Sequence, residues 1–267
     1  MAEGKGRLTF VGLGLHDESG ISLAGLNEVQ QAEVVFAEEY TSFLTKGSLD
    51  RLAQRTGKTV VLLSRQEVEN GKRILEACET KRVALLIPGD PMTATTHVDL
   101  RIRAAMQSTE TVLVHGASAL TAVPGILGLQ YYKFGRTTTL ASPHEGYFPL
   151  SPYEIISENL SRGLHSMVLL DIDAESERYM TAPEGLSLLM QMEKLAGLGA
   201  ISENSLVCVV ARAGAPDGLA RAGRIVDLAV MDFGPPMHTI VVPGKLHFME
   251  SESLKIFAQL SADLSPE

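Results

Sequence analysis

The run Leu85–His97, LLIPGDPMTATTH, ends an apolar stretch in proline, glycine, aspartate and proline, then adds a cluster of threonines. Pro88 and Pro91 remove backbone donors, so the segment is not built to extend a sheet. Gly89 supplies a permissive backbone and Asp90 a carboxylate, the makings of a loop pre-organised for something that sits against it. Asp90 either faces that ligand or caps the next helix, and Thr93, Thr95 or Thr96 could cap equally well. A second group, GLGLHDESG, places Gly12 and Gly14 where the backbone can turn tightly. Its third nucleotide-binding glycine is replaced by Asp17, an acid that repels phosphate. Ser118 and Ala119 in GASALTA are small enough to admit a flat ring or a closely packed helix. Leu170 with Asp171, Ala213 in ARAG and His238 in PPMH are the corresponding residues of the second half. His238 reads either as a satisfied structural histidine or as a ligand contact.

These positions share one property, which is that they lie at the ends of apolar runs. In an open α/β sheet, ligands bind outside the carboxyl ends of the strands. Runs at 8–15, 34–37, 59–63, 83–87 and 111–116 alternate with helical stretches, which predicts crossover connections and a parallel, doubly wound sheet. One helix is expected across SRQEVENGKRILEAC, opened by a capping box of Ser64 and Glu67. A second set of runs (137–142, 166–172, 205–214, 238–244) comes with helical candidates near 152–163, 183–197 and 246–258. The boundary is expected near residue 116, giving domains 1–116 and 117–267.

A chain of 267 residues, 45% hydrophobic, can bury a full core in two lobes. Its formal charge of -9 and lack of a basic block argue against nucleic acid and favour small molecules or a protein as partners. No apolar run approaches a membrane span and the start shows no leader pattern, so a cytoplasmic protein is expected. Cys78 and Cys208 are far apart, without a CxxC partner, and read as buried filler. No G-x-S-x-G, H-E-x-x-H or P-loop pattern appears, and the histidines are scattered, so metal catalysis has little support and no metal is expected. Six of the chain's 14 tyrosines and phenylalanines fall at Tyr131, Tyr132, Phe134, Tyr147, Phe148 and Tyr153, forming either a substrate mouth or a local core.

In register, GLGLHDESGIS, VFAEEYTS, PGDPMTATTH, YKFG, LLDI, ARAG, DFG and VVPGKLHFME resemble the diphthine synthase family. That family belongs to the tetrapyrrole-methylase-like class of S-adenosylmethionine-dependent methyltransferases. The resemblance spans residues 7–258, and the length is that of archaeal members. It implies two α/β domains, an N-terminal parallel doubly wound sheet and a C-terminal mixed sheet, with S-adenosylmethionine in the cleft between them, and a homodimer. It also implies cofactor contacts at Leu15, Asp90, Thr93, Ser118, Ala119, Leu170, Ala213 and His238. Thr93 stands where the family often has an aliphatic residue and Ala119 replaces a larger one, so contacts made through backbone are the ones expected to survive. The reaction implied is methylation of the amino group of a 3-carboxy-3-aminopropyl histidine on translation elongation factor 2, giving diphthine and releasing S-adenosylhomocysteine.

Methyl transfer from a sulfonium needs positioning and a neutral amine rather than a metal. His97, His144 and Asp90 are candidate proton acceptors, with no geometry in the sequence to choose among them. Rival readings are a tetrapyrrole or ribosomal RNA methyltransferase on the same fold, and a noncatalytic nucleotide-sensing scaffold. A further rival is a nicotinamide-dependent oxidoreductase using Gly12, Gly14 and Glu38 or Glu39.

Overall fold

The computed structural model describes residues 6–144, 146–174 and 176–264, and the chain divides into two compact units between Ser118 and Ala119. The N-terminal extension singled out in the sequence lies outside the described residues, apart from Gly6. In the first unit the strands are β1 (Arg7–Gly12), β2 (Val34–Ala37), β3 (Val60–Leu62), β4 (Arg82–Ile87) and β5 (Glu110–Val114). They form one all-parallel sheet in the order β3-β2-β4-β1-β5. The helices are α1 (Leu23–Gln31), α2 (Ser48–Thr56), α3 (Arg65–Asn70), α4 (Lys72–Cys78) and α5 (His97–Met106). Alternate strand residues feed two separate cores. Leu8, Phe10, Phe36, Val83, Leu85 and Ile87 face one. Val11, Val35, Ala37, Ala84 and Leu86 face the other. Burial on both faces makes these strands continuous apolar runs and requires helices on both sides.

The single helix expected across residues 64–78 is two. The Ser64–Glu67 capping box forms, but Gly71 sits at φ 70° between α3 and α4. A side chain there would meet Leu100 Cδ1 at 2.7 Å, so the break carries a packing contact as well as a left-handed turn.

The second unit holds α6 (Ala119–Leu127), β6 (Thr138–Leu140), α7 (Ser151–Ser161), β7 (Ser166–Leu170), a short hairpin of β8 (Ile172–Asp173) and β9 (Arg178–Tyr179), and α8 (Ala182–Ala196). It continues through β10 (Leu206–Ala211), β11 (Leu219–Arg224), α9 (Ile225–Leu228), β12 (His238–Val242) and α10 (Phe248–Phe257). Its five-stranded sheet, ordered β11-β10-β12-β7-β6, is mixed: β6 and β7 are parallel and the other pairings antiparallel. Val168, Val207, Val209 and Ile240 enter one core, Met167, Cys208, Val210 and Val241 the other. Strand β11, with the sequence LARAGR, and the hairpin escape the sequence reading because neither carries an apolar run. Both cysteines are free and buried.

Candidate cofactor site

Two loops are stitched together beyond the carboxyl ends of the first sheet. After β1, the Leu13 N–H donates to Ile87 O at 2.8 Å. Gly14 and Gly89 then exchange backbone bonds, Gly14 N–H to Gly89 O at 3.2 Å and Gly89 N–H to Gly14 O at 2.7 Å. Both glycines have positive φ, 80° and 75°. A Cβ on Gly12 would lie 2.7 Å from Gly89 O, and one on Gly116 2.4 Å from the same oxygen. Only bare backbone fits at Gly12 and Gly116, and Gly89 turns in the left-handed region, which brings the β1, β4 and β5 loops into contact.

Asp90 is held from two sides. Oδ1 accepts from the Met92 N–H at 3.0 Å and the Thr93 hydroxyl at 3.1 Å, and Oδ2 lies 2.7 Å from His115 Nδ1. Burial pushes its carboxyl up, but the Met92 amide, the His115 ring and the Thr93 hydroxyl outweigh this and leave it below its ordinary value. Asp90 is therefore ionised, and its side chain is occupied by its own loop. Thr93 spends its hydroxyl there too. Leu15, half-buried, follows directly on the Gly14–Gly89 bridge.

His97 ties the same loop to the end of β2. Its Nδ1 lies 3.2 Å from Pro91 O and 2.8 Å from Thr95 Oγ1, and its Nε2 lies 3.2 Å from the Tyr40 hydroxyl. A carbonyl oxygen only accepts, so Nδ1 carries the hydrogen and Nε2 accepts from Tyr40. Burial lowers the pKa of this histidine and keeps it neutral. Neighbouring Glu38, wholly buried, accepts from the Tyr40 N–H at 2.9 Å, the Thr41 N–H at 3.1 Å and the Thr41 hydroxyl. The sequence stretches VFAEEYTS and PGDPMTATTH are thus parts of one assembly.

In the second unit, β12 runs antiparallel to both β7 and β10. Its first residue, His238, pairs with Ala211 at the end of β10, and Thr239 with Leu169 near the end of β7. Leu170, Ala213 and His238 therefore gather at one edge of that sheet. His238 Nδ1 accepts from the Ala182 N–H at 3.1 Å and Nε2 donates to Pro235 O at 3.1 Å. Burial lowers its pKa, so the ring is a neutral brace between β12 and the start of α8. Ser118 ends the first unit, and Ala119 opens α6, where it packs on the second unit's core.

A buried cluster escapes sequence reasoning. Glu250 Oε1 accepts from the Gln130 N–H at 2.8 Å and faces His165 Nε2 at 3.0 Å, while Oε2 accepts from the His247 N–H at 2.8 Å and from Lys133 Nζ. His165 Nδ1 accepts from the Gly244 N–H at 2.9 Å, so Nε2 carries the hydrogen. This network joins YKFG to VVPGKLHFME and gives both a structural reason. Among the aromatic residues at 131–153, Tyr153 is wholly buried and donates its hydroxyl to Glu193, and Phe134 and Phe148 pack on the cores. Tyr131, Tyr132 and Tyr147 are exposed, with Tyr147 stacked on His144 at 4.8 Å.

The model of the Tetrapyrrole (Corrin/Porphyrin) Methylases matches residues 7–229. The diphthine synthase of Methanocaldococcus jannaschii is 45% identical over 255 residues, covering 94% of this chain and 99% of its own. This chain belongs to the diphthine synthases of the tetrapyrrole methylase family. The diphthine synthase of Methanothermobacter thermautotrophicus is likewise 45% identical, covering 92% of this chain and 94% of its own. A crystal structure of a diphthine synthase matches with a TM-score of 0.87 and 37% identity, covering 97% of this chain and 98% of that one. As a family member, the chain is an S-adenosylmethionine-dependent methyltransferase of diphthamide biosynthesis.

The residues present fit that methyl donor better than a dinucleotide. S-adenosylmethionine carries no phosphate, and the loop after β1 carries the acid Asp17 where a dinucleotide fingerprint has its third glycine. Asp17 caps its own turn, accepting from the Ser19 N–H at 2.9 Å, and α1 begins only at Leu23 with its first turn capped by Ser22. Glu38, one of the two candidate ribose ligands of an oxidoreductase, is buried and bonded to its own turn. What the edge does offer is the negative field of an ionised carboxylate, held by Met92, Thr93 and His115, which suits a cationic sulfonium nearby. Among the described residues no group of three or more histidine, cysteine or acidic side chains is placed to hold a metal ion.

Proposed function

We propose that this enzyme methylates the amino nitrogen of the 3-carboxy-3-aminopropyl histidine on translation elongation factor 2, carrying it through three transfers to trimethylated diphthine. The observation that carries the reading is the near end-to-end likeness to the Methanocaldococcus jannaschii diphthine synthase, 94% of one chain against 99% of the other. The eight cofactor contacts proposed are Leu15, Asp90, Thr93, Ser118, Ala119, Leu170, Ala213 and His238. When bound, S-adenosylmethionine supplies an electrophilic methyl group and leaves as S-adenosylhomocysteine.

The chain's own residues supply position. The Asp90 carboxylate is committed to Met92, Thr93 and His115, so residues 88–93 would meet the cofactor through main-chain atoms. His238, with both ring nitrogens bonded, acts the same way by fixing the backbone beside Ala213. A loop locked before binding loses little entropy on binding and holds the reacting atoms in line, the contribution on which an in-line displacement most depends. Exposed Tyr131, Tyr132 and Tyr147 are proposed to receive the protein substrate, with Phe148 supporting Tyr147 from the core. A homodimer working in the cytoplasm completes the reading. No described helix is long and apolar enough to cross a membrane.

The test offers labelled S-adenosylmethionine with competing acceptors: elongation factor 2 carrying the unmethylated intermediate, the same factor with an unmodified histidine, a tetrapyrrole precursor and ribosomal RNA. Label is expected only in the first. Label in the tetrapyrrole or RNA, with none in the factor, would replace this substrate.

A further inference from the structure

At the carboxyl end of β5, His115 and Asp90 have the geometry of an oriented base. His115 Nδ1 lies 2.7 Å from Asp90 Oδ2. The ionised carboxylate only accepts, so Nδ1 carries the hydrogen and the lone pair sits on Nε2. Nε2 has no hydrogen-bond partner among the described residues, and the His115 side chain is 69% exposed against 10% for Asp90. The orienting group is itself rigid. Asp90 is fixed by Met92 and Thr93, and its loop by the Gly14–Gly89 bridge. Three other histidines are spent: His97, His165 and His238 are buried with both ring nitrogens bonded.

We propose that His115 is the general base of the reaction, its Nε2 taking a proton from the substrate ammonium while Asp90 positions the ring. The proposal rests on the protein-borne amine assigned under Proposed function. The substrate N–H bond breaks and its electron pair stays on nitrogen as the nucleophilic lone pair. The Nε2 lone pair forms the new N–H bond, and the positive charge passes from ammonium to imidazolium. The Asp90 carboxylate stabilises that imidazolium without taking the proton, as in other carboxylate–histidine pairs. Exposure then lets the proton pass to water, so the base is restored for each successive methyl.

The charge environment is simple. Of the elements packed on β5, the β1 end beside His115 is glycine. Arg7, at the other end of β1, pairs with Glu28 at 3.0 Å and with Glu110 at 4.0 Å. On α5, Arg101 bonds Thr111 Oγ1. Asp90 is thus the titratable group that faces the ring.

The test combines ligand-free and turnover measurements on the full chain. In nitrogen-15 NMR of the free wild-type protein, the His115 signal, assigned by its loss in H115Q, should show the Nδ1–H tautomer. H115Q should bind S-adenosylmethionine within about twofold of wild type by calorimetry. It should lower kcat/KM for elongation factor 2 by about 100-fold or more near neutral pH, and shift the acidic limb of the rate profile to higher pH, where the substrate amine loses its proton unaided. An Nε2–H tautomer, or an H115Q rate within about threefold of wild type with its acidic limb unshifted, would overturn the assignment. If H115Q fails to fold, His115→Asn provides the same comparison and the wild-type tautomer still decides. A wild-type protein that binds the cofactor but methylates no elongation factor would overturn the substrate reading and the base with it.

Discussion

At the scale of single residues, a group's chemistry here depends on which of its polar atoms are already in use. His97 opens α5, His115 follows β5 and His238 opens β12, and of the three only His115 keeps an open lone pair. His97, a candidate proton acceptor from sequence, is excluded because Tyr40 occupies its acceptor nitrogen. Asp90, another, is excluded as a base because its depressed pKa keeps it a poor proton acceptor near neutral pH. Glu250 shows the same principle applied to stability. Burial raises its carboxyl, but the Lys133 ammonium, two backbone amides and His165 reverse this and hold its pKa at about 2, against an ordinary 4.5. A carboxyl depressed on folding stabilises the native state above its ordinary pKa, and that stability drains away as pH falls from about 4.5 toward about 2. The contribution is bounded at ~3 kcal/mol. His165, whose pKa burial lowers, adds an acid-side loss of the same sign. Glu250→Gln is predicted to lower stability by ~2–3 kcal/mol near neutral pH, measured by urea unfolding, and to flatten the acid limb of the stability profile.

At the scale of elements, the strand ends are governed by glycine backbones in contact. The proline-glycine loop was legible as a rigid feature from Pro88, Gly89 and Pro91 alone. Its stitching to Gly14, and the crowding of Gly12 and Gly116 around Gly89 O, depend on parallel register and cannot be read along the chain. Gly116→Ala should push the β5 loop away from Gly89, costing ~1–3 kcal/mol of stability and weakening S-adenosylmethionine binding, which calorimetry would show. Local signals did predict helix starts: the Ser64–Glu67 box forms as expected. A second box, Thr181–Glu184 at α8, was not singled out from sequence and forms beside the Ala182 amide that His238 accepts. Thr181→Ala is predicted to cost ~1 kcal/mol by thermal melting, with little effect on turnover. Helix interiors were harder. The periodicity of residues 64–78 spans Gly71 without a change of phase, so the break between α3 and α4 became visible only through its backbone and its contact with Leu100.

At the scale of the whole molecule, the alternating α/β pattern was legible because strands buried on both faces become apolar runs. Strand β11 and the β8–β9 hairpin, half-polar and short, were not. The site divides the same way. The strand-end positions were legible because they follow each run, whereas the His115–Asp90 pair, with His115 the final residue but one of TVLVHG, was not, because it spans 25 positions. Methylation of an amine on elongation factor 2 is read out by the mass of that factor. The factor carrying the unmethylated intermediate is incubated with enzyme and S-adenosylmethionine, and its intact mass is followed over time. Successive gains of one methyl are expected, ending at three on the modified histidine. An unchanged mass in the presence of bound cofactor, or methyl groups on any other residue, would contradict methylation of that amine.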